Sequence, residues 1–178
     1  MKLPTSIENI LNENIVENAR LELKKNWNPE PILHTICAFA NDIDNWGGGY
    51  ILIGVEEENG RPKMPITGLE VSEIDKIQKD LLAKCKLIQP SYTPIVDVAQ
   101  YKDKNILVVW CFGGQTRPYK CPTTLDKNFS KGYSYYIRKM SSTVKATETE
   151  QKELYDMARI IPFDDRMNYE AEIQDLKL

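Results

Sequence analysis

The spacing of apolar and polar residues changes period several times along the chain. Ser6 to Asn14 reads as a short helix, with Thr5 or Ser6 as N-cap and Glu8 in its first turn. Ala19 to Lys24 then alternates apolar and charged residues, the period of a half-exposed strand. Asn28-Pro29-Glu30-Pro31 opens a second helix, because proline is tolerated in a first turn. That helix runs to about Ala40. Ile32, Leu33, Ile36, Phe39 and Ala40 give it an apolar face broad enough to be buried. Tyr50 to Val55 is continuously apolar, as in a strand covered on both faces, and Glu57-Glu58-Asn59-Gly60 is a turn.

Ser72 starts a further helix, with Ile74, Ile77, Leu81 and Leu82 along one face, and Pro90 ends that region. Ile95 to Gln100 and Ile106 to Phe112 are strands flanking a charged turn at Lys102-Asp103-Lys104-Asn105. Gly113 and Gly114 break the pattern, Arg117 to Cys121 forms a short strand, and Tyr133 to Arg138 forms one rich in aromatics. Thr147 and Glu150 make a capping box for a last helix carrying Leu154 and Met157, which Pro162 stops. This order predicts an α+β domain built on one mixed β-sheet packed with about three to four helices. The domain is expected to span residues 1–161. Residues 162–178 are then an acidic tail, or the start of a linker to a further module.

Composition adds limits. At 178 residues with 42% hydrophobic content, the chain can bury one sizeable core. Cys37, Cys85, Cys111 and Cys121 lie far apart and lack zinc-type spacing, so they read as buried, reduced thiols of a cytoplasmic protein. No signal segment is visible, and no run approaches the roughly 18 apolar residues of a membrane span. The net charge of −3 conceals an asymmetry. Residues 101–147 carry 9 basic and 2 acidic groups, whereas residues 1–100 carry 10 and 15 and residues 148–178 carry 4 and 9. Such a basic block suits phosphates or acidic partners, or else it neutralises the acidic flanks within the fold.

Two stretches carry candidate chemistry of their own. Gly47-Gly48-Gly49 could present amides to a phosphate. It leads into a strand, however, and lacks the Gly-Lys-Ser/Thr ending of a P-loop. The glycines therefore read as a tight helix-to-strand crossover, and ATP binding is not expected of this domain. In the basic block, Arg117, Lys120, Lys131, Arg138, Lys139 and Lys145 interleave with Tyr119, Tyr133, Tyr135 and Tyr136. Cations hold phosphates and tyrosines stack on bases. In the strand, Tyr133, Tyr135 and Ile137 share one face, Ser134, Tyr136 and Arg138 the other, and one face is expected to be core. Arg138 with Ser141, Ser142 and Thr143 makes a polar loop suited to an anion, unless Arg138 pairs with an internal carboxylate such as Glu22 or Glu56.

Several of these segments together resemble the Schlafen AlbA-like domain, also called divergent AAA, of bacterial transcriptional regulators. The resemblance rests on Glu17 through Lys24 (Glu-x-x-x-x-Glu-x-Lys), Ala38-Phe39-Ala40-Asn41, Gly48 through Glu56, and Gly68-Leu69. Arg117-Pro118-Tyr119 and Tyr136-Ile137-Arg138 with Ser141-Ser142-Thr143 complete it. It implies an AlbA-like fold and a nucleic-acid role, with winged-helix or RecG-like modules downstream in longer members. Schlafen relatives also include nucleases that cut transfer RNA with three acidic residues. Carried over, that triad falls on Glu17, Glu22 and Glu56, with Glu57 as the alternative third residue. The third position is typically aspartate in the family, so glutamate here lengthens the side chain.

A metal-dependent nuclease needs such carboxylates to hold Mg²⁺ or Mn²⁺, and Lys24 would assist at the phosphate. Glu17 and Glu22 are five apart, so they converge only if Glu17 precedes the strand or a bulge intervenes. Three readings follow. The first is a DNA- or RNA-binding domain of a transcriptional regulator, using Arg117, Lys120, Lys131, Arg138, Lys139 and Lys145. The second is a metal-dependent ribonuclease using Glu17, Glu22, Glu56 and Lys24. The third is a dimerisation module, with a homodimer seam on the apolar face of Ser72–Leu87.

Overall fold

A computed structural model of the protein describes residues 7–12, 19–127 and 132–160. The elements are α1 (Ile7–Asn12), β1 (Leu21–Lys24), α2 (Pro29–Asn41), β2 (Gly49–Ile53), β3 (Glu57–Glu58), β4 (Arg61–Pro62) and α3 (Val71–Cys85). They continue with β5 (Ile95–Tyr101), β6 (Lys104–Cys111), β7 (Lys120–Pro122), β8 (Tyr133–Lys139), β9 (Ser142–Lys145) and α4 (Glu148–Ile160). The α+β class is as expected. The strands, however, are shared among a four-stranded sheet, a three-stranded sheet and the β3–β4 ribbon.

The four-stranded sheet has the order β1-β2-β6-β5 and is mixed. β1 runs parallel to β2, pairing Glu22 with Ile51 and Lys24 with Ile53. β2 and β5 both run antiparallel to β6. The three-stranded sheet, β7-β8-β9, is antiparallel.

The alternation Leu21-Glu22-Leu23-Lys24 decides which way the first sheet is wrapped. Leu21 and Leu23 join Leu52 and Val108 beneath Ile7, Ile10 and Leu11 of α1. Ile51, Ile53, Leu107 and Val109 point the other way, into a core shared by α2 and α3. α3 contributes Ile74, Ile77 and Leu81 to that core, so these three residues of its apolar stripe are occupied within the domain; Leu82 stays half exposed.

Every residue from Ile32 to Asn41 except His34 is buried, because α2 is covered on two sides. One side meets the mixed sheet. The other meets the three-stranded sheet, where His34 stacks on Tyr136 with ring centroids 4.0 Å apart and Thr35 shares a 2.9 Å hydroxyl hydrogen bond with Thr143. On the far face of that sheet, Ile137 and Ala146 pack against Leu154 of α4. Both faces of β8 are therefore buried at Tyr136, Ile137 and Arg138, not one alone.

Local signals were met with small shifts. The Thr147–Glu150 capping box forms, with Glu150 Oε2 accepting from the Thr147 amide at 2.8 Å. α3 starts one residue before Ser72, because Glu70 is its N-cap and makes a capping box with Glu73. Asn59-Gly60 is a turn, and Glu57-Glu58 forms one arm of the small ribbon it connects. Ser142 to Lys145, read as part of a loop, is strand β9. The stop at Pro162 and the tail lie outside the described residues. All four cysteines are free and buried, and burial pushes the Cys85 thiol up to about 12. Among the described residues, no helix is long and apolar enough to cross a membrane.

Candidate functional site

The glycine-led crossover sits where the end of α2, the start of β2 and the end of β6 meet. Gly48 has φ +80, and a Cβ there would lie 1.9 Å from the Cys111 carbonyl oxygen. At Gly49 a Cβ would come within 2.3 Å of the Phe39 ring. The glycines thus permit a close approach of backbone to neighbouring elements. Of their amides, that of Gly47 is already taken: the Asp42 carboxylate accepts from the Trp46 and Gly47 amides at 3.0 and 2.9 Å.

Asn41, fully buried, is the polar hub of the domain. Its amide nitrogen donates to the Tyr119 and Tyr136 carbonyls at 2.9 and 2.7 Å, and its oxygen accepts from the Tyr119 amide at 2.6 Å. This one side chain ties the end of α2 to both the approach to β7 and strand β8. Its place in the Ala38-Phe39-Ala40-Asn41 match was visible in the sequence, but its role was not.

Of the expected acidic triad, Glu22 and Glu56 are described and Glu17 lies outside the described residues. Glu22 faces α2 and is 7% exposed. Its Oε1 lies 2.5 Å from Lys24 Nζ and its Oε2 lies 2.7 Å from Arg138 Nη1. Arg138 also donates to Thr143 Oγ1 at 3.0 Å and sits 5.2 Å from the Phe39 ring centroid. Glu56 lies beyond the end of β2, paired with Lys25 at 3.0 Å and Lys63 at 3.6 Å. Lys25 chiefly holds its carboxyl below the ordinary range. Glu22 pairs with Ile51 across the parallel β1–β2 ladder, five residues before Glu56, and the two carboxylates take different cations. The two carboxylates therefore belong to separate ion-pair centres. Glu57 turns to the Gly60 amide at the ribbon. Among the described residues, no group of three or more His, Cys, Asp or Glu is placed to hold a metal ion. A divalent ion at Glu22 would have to displace two cations already seated on its oxygens.

The six expected nucleic-acid-binding cations divide sharply. Arg117 is buried, and its guanidinium donates to the Gly114 and Asp42 carbonyls at 3.0 Å each. Arg138 is buried against Glu22. These two belong to the interior and not to a binding surface: they tie loops and strands together. Lys139 is exposed but paired with Glu150 at 2.5 Å. Lys131 lies outside the described residues. Lys120 is half-buried on β7 with its ammonium 5.8 Å from the Tyr133 ring centroid, and Lys145 is exposed on β9.

Sequence reasoning missed one functional candidate. Tyr155 of α4 is exposed, and its hydroxyl meets that of Tyr135 at 2.9 Å. The residue reads from its sequence neighbourhood as the polar side of an acidic helix. Only the packing of α4 on β8 brings it beside Tyr135.

None of the curated proteins compared with the chain matches it. Among solved structures, the DIP2311 protein of Corynebacterium diphtheriae aligns with TM-score 0.52 at 18% identity, a likeness of fold. The alignment covers 80% of this chain and 28% of that one, so this chain spans well under half the length of that protein. The N-terminal domain of a RecG-related protein from Nitrosomonas europaea aligns with TM-score 0.49 at 29% identity, covering 61% of this chain and 74% of that one. The family model described as "Schlafen, AlbA_2" matches residues 17–147, and the chain belongs to that family.

Proposed function

We propose that this domain binds nucleic acid through the outer face of β7 and β8, as the binding part of a transcriptional regulator. The observation that supports this reading is the pairing of cation with aromatic on that face. Lys120 stands opposite Tyr135 and lies over Tyr133, on the part of the sheet beyond Leu154 of α4. The excess of basic groups in residues 101–147 supplies the long-range attraction, and stacking on exposed rings supplies contact. Family membership agrees with a nucleic-acid role. The ribonuclease reading has less support, because Glu22 and Glu56 are each neutralised by lysine or arginine at separate centres.

The test is fluorescence anisotropy with labelled DNA and RNA over a salt series. Binding is expected to weaken steeply with salt, and the slope of log K against log salt to shrink by roughly one per phosphate contact removed. Lys120→Ala should reduce both affinity and slope. No detectable binding at low salt would sink the reading.

A further inference from the structure

We propose that the depression between the β5–β6 turn and residues 64–66 binds a small amphipathic anion, an apolar body carrying one acidic group. The site shares no residue with the β7–β8 face and stands or falls separately from the nucleic-acid reading. Its cavity measures about 420 Å³, within the range of small-molecule pockets. Met64, Pro65, Ile66, Tyr101, Lys102 and Lys104 line it. Ile66 and Tyr101 are buried and form its floor, while Met64 and Pro65 are exposed at its rim. These four side chains favour the removal of an apolar body from water.

The lysines select the charge. Lys102 and Asp103 have φ of 46 and 63, so a tight two-residue turn joins β5 to β6 and sets Tyr101 opposite Lys104. The Lys102 ammonium lies 5.3 Å from the Tyr101 ring centroid. The Lys104 stem lies against Gly68, where a Cβ would come within 2.9 Å of Lys104 Cβ and 3.1 Å of its Cδ. Both lysines are thus held beside the apolar lining. Lys63, next to Met64 in the chain, is paired with Glu56 and Glu58. Among the described residues, Lys102 and Lys104 have no such carboxylate, and no acidic residue lines the cavity. Two like charges gathered at one apolar cavity repel each other, and an anion bound beside them relieves that repulsion. A nucleic acid or an acidic peptide would also meet the lysines, but the concave apolar lining suits a compact ligand with a hydrophobic body.

The experiment titrates the protein with anilinonaphthalene sulfonate, an aromatic anion, and with phenylnaphthylamine, which has the same rings without the sulfonate. Fluorescence should report one saturable site for the sulfonate. Lys102→Gln combined with Lys104→Gln should weaken the sulfonate about tenfold and change the neutral probe by no more than about threefold. Met64→Ser should weaken both probes, and Lys120→Ala on β7 should alter neither. All three cavity positions are exposed, and near-UV circular dichroism of each variant verifies native packing. Absence of saturable binding, lysine variants without effect, or lysine variants that weaken both probes equally would overturn the proposal. Displacement of the sulfonate by DNA or RNA would also overturn it and assign these lysines to a nucleic-acid surface.

Discussion

Removing the guanidinium of Arg138 should unfold the domain at markedly lower denaturant, and replacing Glu22 along with it should restore much of the loss. Arg138 and Glu22 are 5% and 7% exposed, with 2.7 Å between their charged atoms. In Arg138→Met, Glu22 keeps Lys24 at 2.5 Å, but that lysine side chain is 30% exposed and only partly shields a buried carboxylate. Breaking a buried pair by removing one partner costs about 3–5 kcal/mol, and the remaining lysine places this case near 3. Loss of the guanidinium also leaves Thr143 Oγ1 without that donor and the Phe39 ring without its cation. With a urea m-value of about 2 kcal/mol/M, the midpoint should fall by about 1.5 M. Glu22→Leu combined with Arg138→Met removes the stranded charge, and such replacements of a buried pair are often neutral. The double variant should therefore recover at least half of the single loss. Equilibrium urea unfolding of the native protein, both single variants and the double variant closes the cycle. A single-variant loss below about 1 kcal/mol, or a double variant as unstable as the sum of the singles, would refute the account of Glu22 as a structural, cation-saturated group.

Two further outcomes test other parts of the fold. Asn41→Ala strands the Tyr119 amide and removes a donor from two carbonyls, so about 2–4 kcal/mol of stability should be lost in urea unfolding; a loss under about 1 would show that the hub is dispensable. Burial beside Tyr136 holds the His34 pKa below its usual 6.5, partly opposed by its hydrogen bond to the Pro122 carbonyl. The folded state therefore favours neutral imidazole. Its contribution is complete above the unfolded value and declines as pH falls below 6.5 toward the folded value. The stability advantage of the native protein over His34→Gln should shrink between about pH 7 and pH 5, and a constant difference across that range would refute it.

How much of this was legible in the sequence varied with the range of the interaction. β2 announced itself by an unbroken apolar run, and α2 by a broad apolar face, because burial there is recorded in the residues themselves. The α4 cap was readable since Thr147 and Glu150 are three residues apart. β9 was missed because Ser142 and Lys145 are exposed on an edge strand whose pairing is supplied entirely by β8. The fates of Arg117 and Arg138 could not be read locally. Arg138 and its carboxylate are 116 residues apart, and Arg117 binds carbonyl oxygens, which have no sequence signature. The Glu22–Arg138 pair was one of two alternatives left open, and the three-dimensional contact selects it. The tyrosine face was half visible: Tyr133 and Tyr135 by alternation, Tyr155 only by the docking of α4.

The burial of α2 between two sheets has a consequence for dissection of the gene. Charge changes sign near residue 101, and Gly113-Gly114 looks like a seam at which the chain could be cut into fragments. A fragment ending there would retain α2 and the mixed sheet but expose Thr35, Cys37 and Asn41, whose partners Thr143 and Tyr119 lie in the other piece. The second fragment would hold three short strands and one helix, with only the small cluster around Ile137, Ala146 and Leu154 as a core. The acidic and basic halves of this sequence are thus one interlocked unit, joined by the ion pairs of Arg138 with Glu22 and Lys139 with Glu150.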